Sequence, residues 1–208
     1  MRHGRIFLLL VTSLVVFDQG TKIAIRQSLP VDDAGWAASC TFDCRANPTH
    51  AEFHPERKTR HQHSVVPRMF NIVHTRNRGA AFGILAGHPY RMALFSVVTM
   101  LAFVFILGYY RRLREDEGLL AVALSCVFAG ALGNFIDRLL YRQVTDFLQF
   151  YVPEDTSTGA LLVDMFGSSR WPSFNVADSC ICVGVALLLL NTAQEYRRLA
   201  ASEPEAGP

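Results

Sequence analysis

The sequence predicts an all-α membrane protein in which four transmembrane helices carry a small extracytoplasmic β-sheet, or cradle, and loop inserts. Half of the 208 residues are hydrophobic and the mean hydropathy is positive, which is usual for a small polytopic membrane protein. Four stretches are apolar and long enough to cross a hydrocarbon core of about 30 Å, which needs around 20 helical residues. We place these spans at residues 6–29, 91–110, 119–138 and 174–192 of a single domain that occupies residues 1–208.

The basic residues next to the spans predict the orientation in the membrane, because arginines close to helix ends stay on the cytoplasmic side. They are Arg2 and Arg5 before the first span, Arg111, Arg112 and Arg114 after the second, and Arg197 and Arg198 after the fourth. All of these flanks lie on one side only if four crossings leave both termini in the cytoplasm. We therefore expect a multi-pass membrane protein. A net charge of +2 indicates no nucleic-acid partner.

The first span also has the charged start and apolar middle of a cleaved signal peptide. Three charged residues, Asp18, Lys22 and Arg26, follow the apolar run at once, and no small-residue cleavage pattern lies at the right distance. We expect the segment to remain as a helix.

Two segments on the outer side, residues 30–68 and 152–172, are expected to be loops, and we call them the first and second inserts. The stretch after the first insert alternates from Phe70 to Thr75 and ends in a turn at Asn77 to Gly79, which is typical of a short strand. A second strand candidate begins at Asp146. Two strands in outward loops suggest a small sheet at the membrane surface.

Polar residues cluster at the outer ends of the predicted helices. On a helix, residues three or four apart share a face, which predicts three local pairs: Asn134 with Arg138, Asp18 with Lys22, and Asn175 with Asp178. The cluster comprises Asp18, Lys22, Asn134, Asp137, Arg138, Asp146, Asn175 and Asp178. Of the carboxylates, only Asp146 and Asp178 lack an evident local partner of opposite charge.

An ionised aspartate in hydrocarbon costs about 2.5–3.5 kcal/mol, so its default interpretation is functional. Two carboxylates held close together share a proton, and such a pair can take a proton from water as the water attacks an amide carbonyl and give one to the departing amine. Asp146 and Asp178 are our candidates for this pair. The alternatives stay open: Asp178 as a helix N-cap, Asp18 with Lys22 as a structural ion pair, and Asp137 beside Arg138 as an internal scaffold charge.

Five motifs together resemble the lipoprotein signal peptidases, or signal peptidase II, a family of four-span aspartic peptidases of the bacterial plasma membrane. They are DQGTK at 18–22, NRGAAFG at 77–83, GALGNFIDR at 130–138, VTDF at 144–147 and FNVADS at 174–179. The resemblance implies cleavage of diacylglyceryl-modified prolipoproteins just before the lipid-modified cysteine, blocked by the cyclic peptide globomycin. It places the catalytic dyad on Asp146 and Asp178, and the supporting residues on Asp18, Lys22, Asn77, Gly79, Asn134, Asp137, Arg138 and Asn175.

The resemblance also implies an outer sheet that cradles the substrate. We expect the chain to work as a monomer among membrane lipids and to need no cofactor. The two inserts depart from the family pattern, which leaves the shape of the cradle and the breadth of substrate choice open.

Cysteines and histidines of the first insert suggest two other functions. Cys40 and Cys44 lie on the oxidising side, where a disulfide is plausible, so a four-helix membrane thiol oxidoreductase is the alternative. Their CxxxC spacing differs from the usual CxxC redox motif. His50, His54, His61 and His63 supply zinc-type ligands, but no spacing matches a compact zinc site, so we predict no metal.

Overall fold

The computed structural model describes residues 2–31, 62–77 and 90–202. In these parts the chain forms helices α1 (Arg2–Ser28), α2 (Arg91–Tyr110), α3 (Gly118–Tyr141), α4 (Ser157–Phe166) and α5 (Val176–Ser202). The strands are β1 (His63–Val66), β2 (Phe70–Asn77) and β3 (Val144–Phe150). The helical class with a small sheet is as predicted.

Among the described residues, four helices are long and apolar enough to cross a membrane: α1, α2, α3 and α5. Large apolar side chains of these helices, such as Leu9, Phe105 and Leu189, are exposed, as expected of surfaces that face lipid. α3 is the most enclosed of the four helices, because 56% of its most apolar stretch is buried, against 11–17% in the other three. The prediction of four spans is confirmed.

The chain divides into two compact units. The first unit comprises residues 1–18, 96–135 and 176–208. Its core forms where Ile106 of α2 packs with Leu120 and Leu124 of α3. Close helix approach in this unit depends on Gly130, where an added Cβ would overlap the carbonyl oxygen of Ala177 in α5. The small residues that the sequence places in α3 therefore pack a helix pair, as membrane helices commonly do.

The second unit comprises residues 19–95 and 136–175 and contains the sheet. The strands are antiparallel in the order β1-β2-β3, and Thr75 of β2 lies opposite Asp146 of β3. A bulge lies between Ile72 and Thr75. The segment before α5 continues the pairing, because Phe174 forms an antiparallel bridge to Leu148.

Four local features differ from the sequence prediction. β1 lies inside the segment predicted as a loop, and α4 lies inside the second insert, where no helix was predicted. α5 begins at Val176 instead of residue 174 and continues to Ser202, beyond residue 192. α3 continues to Tyr141, beyond residue 138.

Candidate active site

Asp146 lies on β3, and its carboxylate is buried and held by two side-chain amides. The Nδ2 of Asn175 donates to Oδ1 at 2.7 Å, and the Nδ2 of Asn77 donates to Oδ2 at 3.0 Å. The backbone is fixed as well, because the hydroxyl of Thr75 donates to the carbonyl oxygen of Asp146 at 3.1 Å. That hydroxyl also shares a 2.6 Å hydrogen bond with the hydroxyl of Ser173. The sheet and the segment before α5 thus set both the position and the orientation of this carboxylate.

Asp178 lies in the first turn of α5, and its Oδ1 accepts a 2.8 Å hydrogen bond from the Nδ2 of Asn134 in α3. The helix begins at Val176, so Asp178 is its third residue and not the residue that precedes it. The alternative that Asp178 receives backbone N–H groups of the helix stays a prediction. A carboxylate in the first helical turn is favoured by the helix dipole. Asp178 belongs to the first unit and Asp146 to the second. Their convergence on one water molecule stays a prediction.

Asn175 has a partner that is distant in sequence. It lies before the first residue of α5 and donates to Asp146. Its predicted pairing with Asp178, three residues later, stays a prediction. The two carboxylates that had no evident local partner of opposite charge thus both have amide partners. Each partner is distant in sequence, which helix periodicity does not reveal.

Asp18 of α1 is buried and supports the start of α5. Its Oδ1 accepts the backbone N–H of Ala177 at 2.9 Å, which satisfies one of the amides that a helix N-terminus leaves without an internal partner. An added Cβ at Gly133 would come within 2.5 Å of Oδ2 of Asp18, so glycine leaves the room that this carboxylate occupies. Its predicted ion pair with Lys22 stays a prediction.

Asp137 of α3 is fully buried and pairs with two cations of α1. The Nζ of Lys22 lies 3.6 Å from Oδ2, and the Nη1 of Arg26 lies 3.4 Å from Oδ1. The backbone N–H of Thr145 also donates to Oδ2 at 2.9 Å, and Arg26 donates to the hydroxyl of Thr145 at 3.0 Å. Asp137 therefore ties α1 and α3 to the start of β3, one residue before Asp146.

Arg138 places its guanidinium over the ring of Phe95, 4.9 Å from the centroid, which is within the range of a cation–π interaction. Gly79 falls in residues 78–89, outside the described part of the chain.

Sequence reasoning missed Arg26, Thr75, Thr145 and Ser173. Arg26 was identifiable, because it lies four residues after Lys22 and so on the same face of α1. Thr75, Thr145 and Ser173 depend on strand pairing, for which the sequence carries no comparable signal.

The alternative sites fall mostly outside the described residues. Cys40, Cys44, His50, His54 and His61 lie in residues 32–61, and His63 is in β1. Cys126, Cys180 and Cys182 of the helices are free thiols. Within residues 2–31, 62–77 and 90–202, no group of three or more His, Cys, Asp or Glu could hold a metal ion.

Comparison with known proteins identifies relatives along nearly the whole chain. A family model described as signal peptidase (SPase) II matches residues 10–194. The lipoprotein signal peptidase of Geobacter metallireducens is 45% identical over 134 residues, covering 64% of this chain and 74% of that protein. The lipoprotein signal peptidase of Syntrophotalea carbinolica is 38% identical over 186 residues, 89% of either chain. That of Maridesulfovibrio salexigens is 34% identical over 192 residues, 90% of this chain and 96% of that protein.

The fold is also similar to a solved structure of a bacterial membrane enzyme, determined by the in meso method at 2.3 Å resolution. The TM-score is 0.65 and the sequence identity 27%, over 97% of this chain and 93% of that chain.

Proposed function

This chain belongs to the signal peptidase II family, and on that premise we propose that it removes the signal peptide from diacylglyceryl-modified prolipoproteins. The cut falls just before the lipid-modified cysteine. The relatives named lipoprotein signal peptidase support this substrate class. The reaction is amide hydrolysis by one water molecule, activated between Asp146 and Asp178.

The observation that carries this assignment is the kind of partner that each aspartate has. Asp146 and Asp178 accept hydrogen bonds from neutral asparagine amides, whereas Asp137 faces two cations. An amide N–H that donates to a carboxylate oxygen fixes the orientation of the carboxyl group, which is what a group that transfers a proton at a set position requires. The charge of Asp137, in contrast, is needed to compensate Lys22 and Arg26. Proton exchange is therefore assigned to Asp146 and Asp178.

In the proposed mechanism the ionised member of the dyad takes a proton from the water, whose oxygen attacks the scissile carbonyl. The protonated member donates its proton to the departing amine as the C–N bond breaks. No covalent intermediate forms. Asn77, Asn134 and Asn175 hold the two carboxyl groups in orientation, and Asp18 fixes the turn of α5 that carries Asp178.

The arginine flanks and the four spans support the membrane arrangement that we propose. Both termini are cytoplasmic, and the dyad lies near the outer face of the plasma membrane, where the substrate enters from the lipid. The enzyme acts as a monomer without a cofactor.

The test is to incubate the purified protein with a diacylglyceryl-modified prolipoprotein and to follow the loss of the signal peptide as a gel mobility shift. Asp146→Asn and Asp178→Asn should abolish the shift while each variant still inserts and elutes as the folded protein. Asp116→Asn is the matched control, because this carboxylate is exposed and pairs only at the surface with Arg114. Globomycin should block turnover, and the unmodified precursor should not be cut. Full processing by either dyad variant would remove that residue from the mechanism.

A further inference from the structure

The second insert, residues 152–172, contains the short helix α4, in which Leu162 and Val163 are partly buried and several other large apolar side chains are exposed. Leu161 is 55% exposed, Met165 63% and Phe166 65%, and Trp171 just after the helix is 62% exposed. Within α4 only Gly159 is buried. The helix therefore holds several large apolar side chains away from the protein.

Hydrogen bonds fix both ends of α4 and the base of the insert. The hydroxyl of Thr156 caps the helix by accepting the N–H of Gly159 at 3.0 Å, and Gly167 ends it in the left-handed conformation. The N–H of Val152 donates to the carbonyl oxygen of Ser169 at 2.9 Å, which closes the base of the insert. The exposed side chains are thus held in one arrangement.

The length and exposure of α4 exclude two of the usual environments of an apolar helix. Ten residues rise about 15 Å, half of the hydrocarbon thickness, so the helix cannot span the membrane. A helix in a protein core would be buried, and α4 is not. An apolar helix of this length that neither spans nor packs in a core is typical of the membrane interface.

The faces of α4 and the residues after it fit that environment. Leu161 and Met165 are four residues apart on one exposed edge, while Ala160 and Asp164 form the other exposed edge. Trp171 lies five residues before Val176, the start of the fourth span, and tryptophan is enriched beside spans at the level of the lipid headgroups. Arg170 lies over the ring of Tyr151. The apolar edge of α4 is therefore followed along the chain by two residues, Arg170 and Trp171, that are suited to the headgroup layer.

We propose that α4 is a membrane-interface helix whose exposed apolar side chains contact the surface of the bilayer. Leu161, Met165 and Phe166 lie at the boundary between headgroups and acyl chains, and Asp164 points to water. Because the insert follows directly on β3, this contact holds the sheet at a set height above the membrane. The inference goes beyond the proposed peptidase function and concerns how the sheet is supported.

The experiment uses single tryptophans as depth probes in the full-length protein. The chain has two tryptophans, so Trp36→Phe with Trp171→Phe gives a background without tryptophan. Met165→Trp then reports on the apolar edge, and Ala160→Trp is the matched control on the other edge. Both positions are exposed, so both variants should fold. Each protein is reconstituted into vesicles whose lipids carry bromine on the upper acyl chain, and acrylamide serves as the aqueous quencher.

The expected result is that brominated lipid quenches the tryptophan at position 165, which is blue-shifted and protected from acrylamide. The tryptophan at position 160 should show the reverse. Equal acrylamide quenching at both positions would overturn the proposal by showing that the apolar edge faces water. Protection of position 165 from both quenchers would also overturn it, because another protein segment or a second copy must then cover the edge. The readout does not depend on turnover, so its failure leaves the proposed peptidase function untouched.

Discussion

Replacing Asp137 with asparagine removes the negative charge that faces Lys22 and Arg26. At the 3.6 Å between Nζ of Lys22 and Oδ2 of Asp137, the Coulomb attraction is about 4–5 kcal/mol at an effective dielectric constant of about 20. Both side chains are fully buried, so water cannot replace the lost partner. Breaking a buried pair by removing one member typically costs about 3–5 kcal/mol.

We expect Asp137→Asn to lower the free energy of unfolding by about 3 kcal/mol, at the low end of that range. Arg26 is partly exposed and can turn towards water, and Lys22 has a further interaction besides this pair. The asparagine oxygen can still accept the N–H of Thr145, so the start of β3 keeps its hydrogen bond. The loss therefore reports chiefly on charge. Lys22→Met combined with Asp137→Asn should recover a large part of it.

The measurement is equilibrium unfolding by sodium dodecyl sulfate in mixed micelles, with helix content followed by circular dichroism. The two single variants and the double variant form a thermodynamic cycle that isolates the coupling between residues 22 and 137. Asp116→Asn is the control, since its exposed pair with Arg114 should contribute less than about 1 kcal/mol. A loss below about 1 kcal/mol for Asp137→Asn, or strict additivity in the cycle, would refute the importance of this ion pair.

Three further outcomes are expected. Gly130→Ala should lower the free energy of unfolding by about 1–3 kcal/mol in the same titration, because its methyl group would overlap a carbonyl oxygen of the facing helix. Gly108→Ala, which has open space around it, should not destabilise the protein. Asn175→Ala should slow prolipoprotein processing roughly 10- to 100-fold, since a hydrogen bond to a charged group is worth about 1.5–3 kcal/mol; an unchanged initial rate would contradict its positioning role. Cys40→Ser with Cys44→Ser should process prolipoprotein at the wild-type rate, and complete loss would favour the thiol oxidoreductase alternative.

The spanning helices could be predicted because their signal is local. The predicted second span, residues 91–110, coincides with α2, and the other three differ from the helices by one to ten residues at each end. The largest difference lies where polar residues continue a helix, after residue 192 in α5, whereas α3 continues over Leu139, Leu140 and Tyr141. Mean hydropathy marks the part of a helix that crosses lipid and says little about where the helix ends.

The missed elements of the second unit have different causes. β1 has four exposed residues, His63–Val66, so no buried alternation marks it, and it exists because it pairs with β2. α4, in contrast, carries its own signals. Thr156, just before the helix, is a residue type that favours the N-cap, and Gly167, just after it, is the residue type that most often ends a helix. These two signals could have located the helix from the sequence.

The surroundings of Asp146 could not be predicted because they depend on a one-residue irregularity in the sheet. Ile72 pairs with Leu148, whereas Thr75 pairs with Asp146, so β2 uses one residue more than β3 between these points. Without that extra residue, His74 would lie opposite Asp146. A shift of one residue moves every side chain of a strand to the other face, so Asn77 would then point away from the carboxylate that it now contacts. The bulge thus decides which side chains of β2 serve Asp146, and the alternation of the sequence alone is compatible with either register.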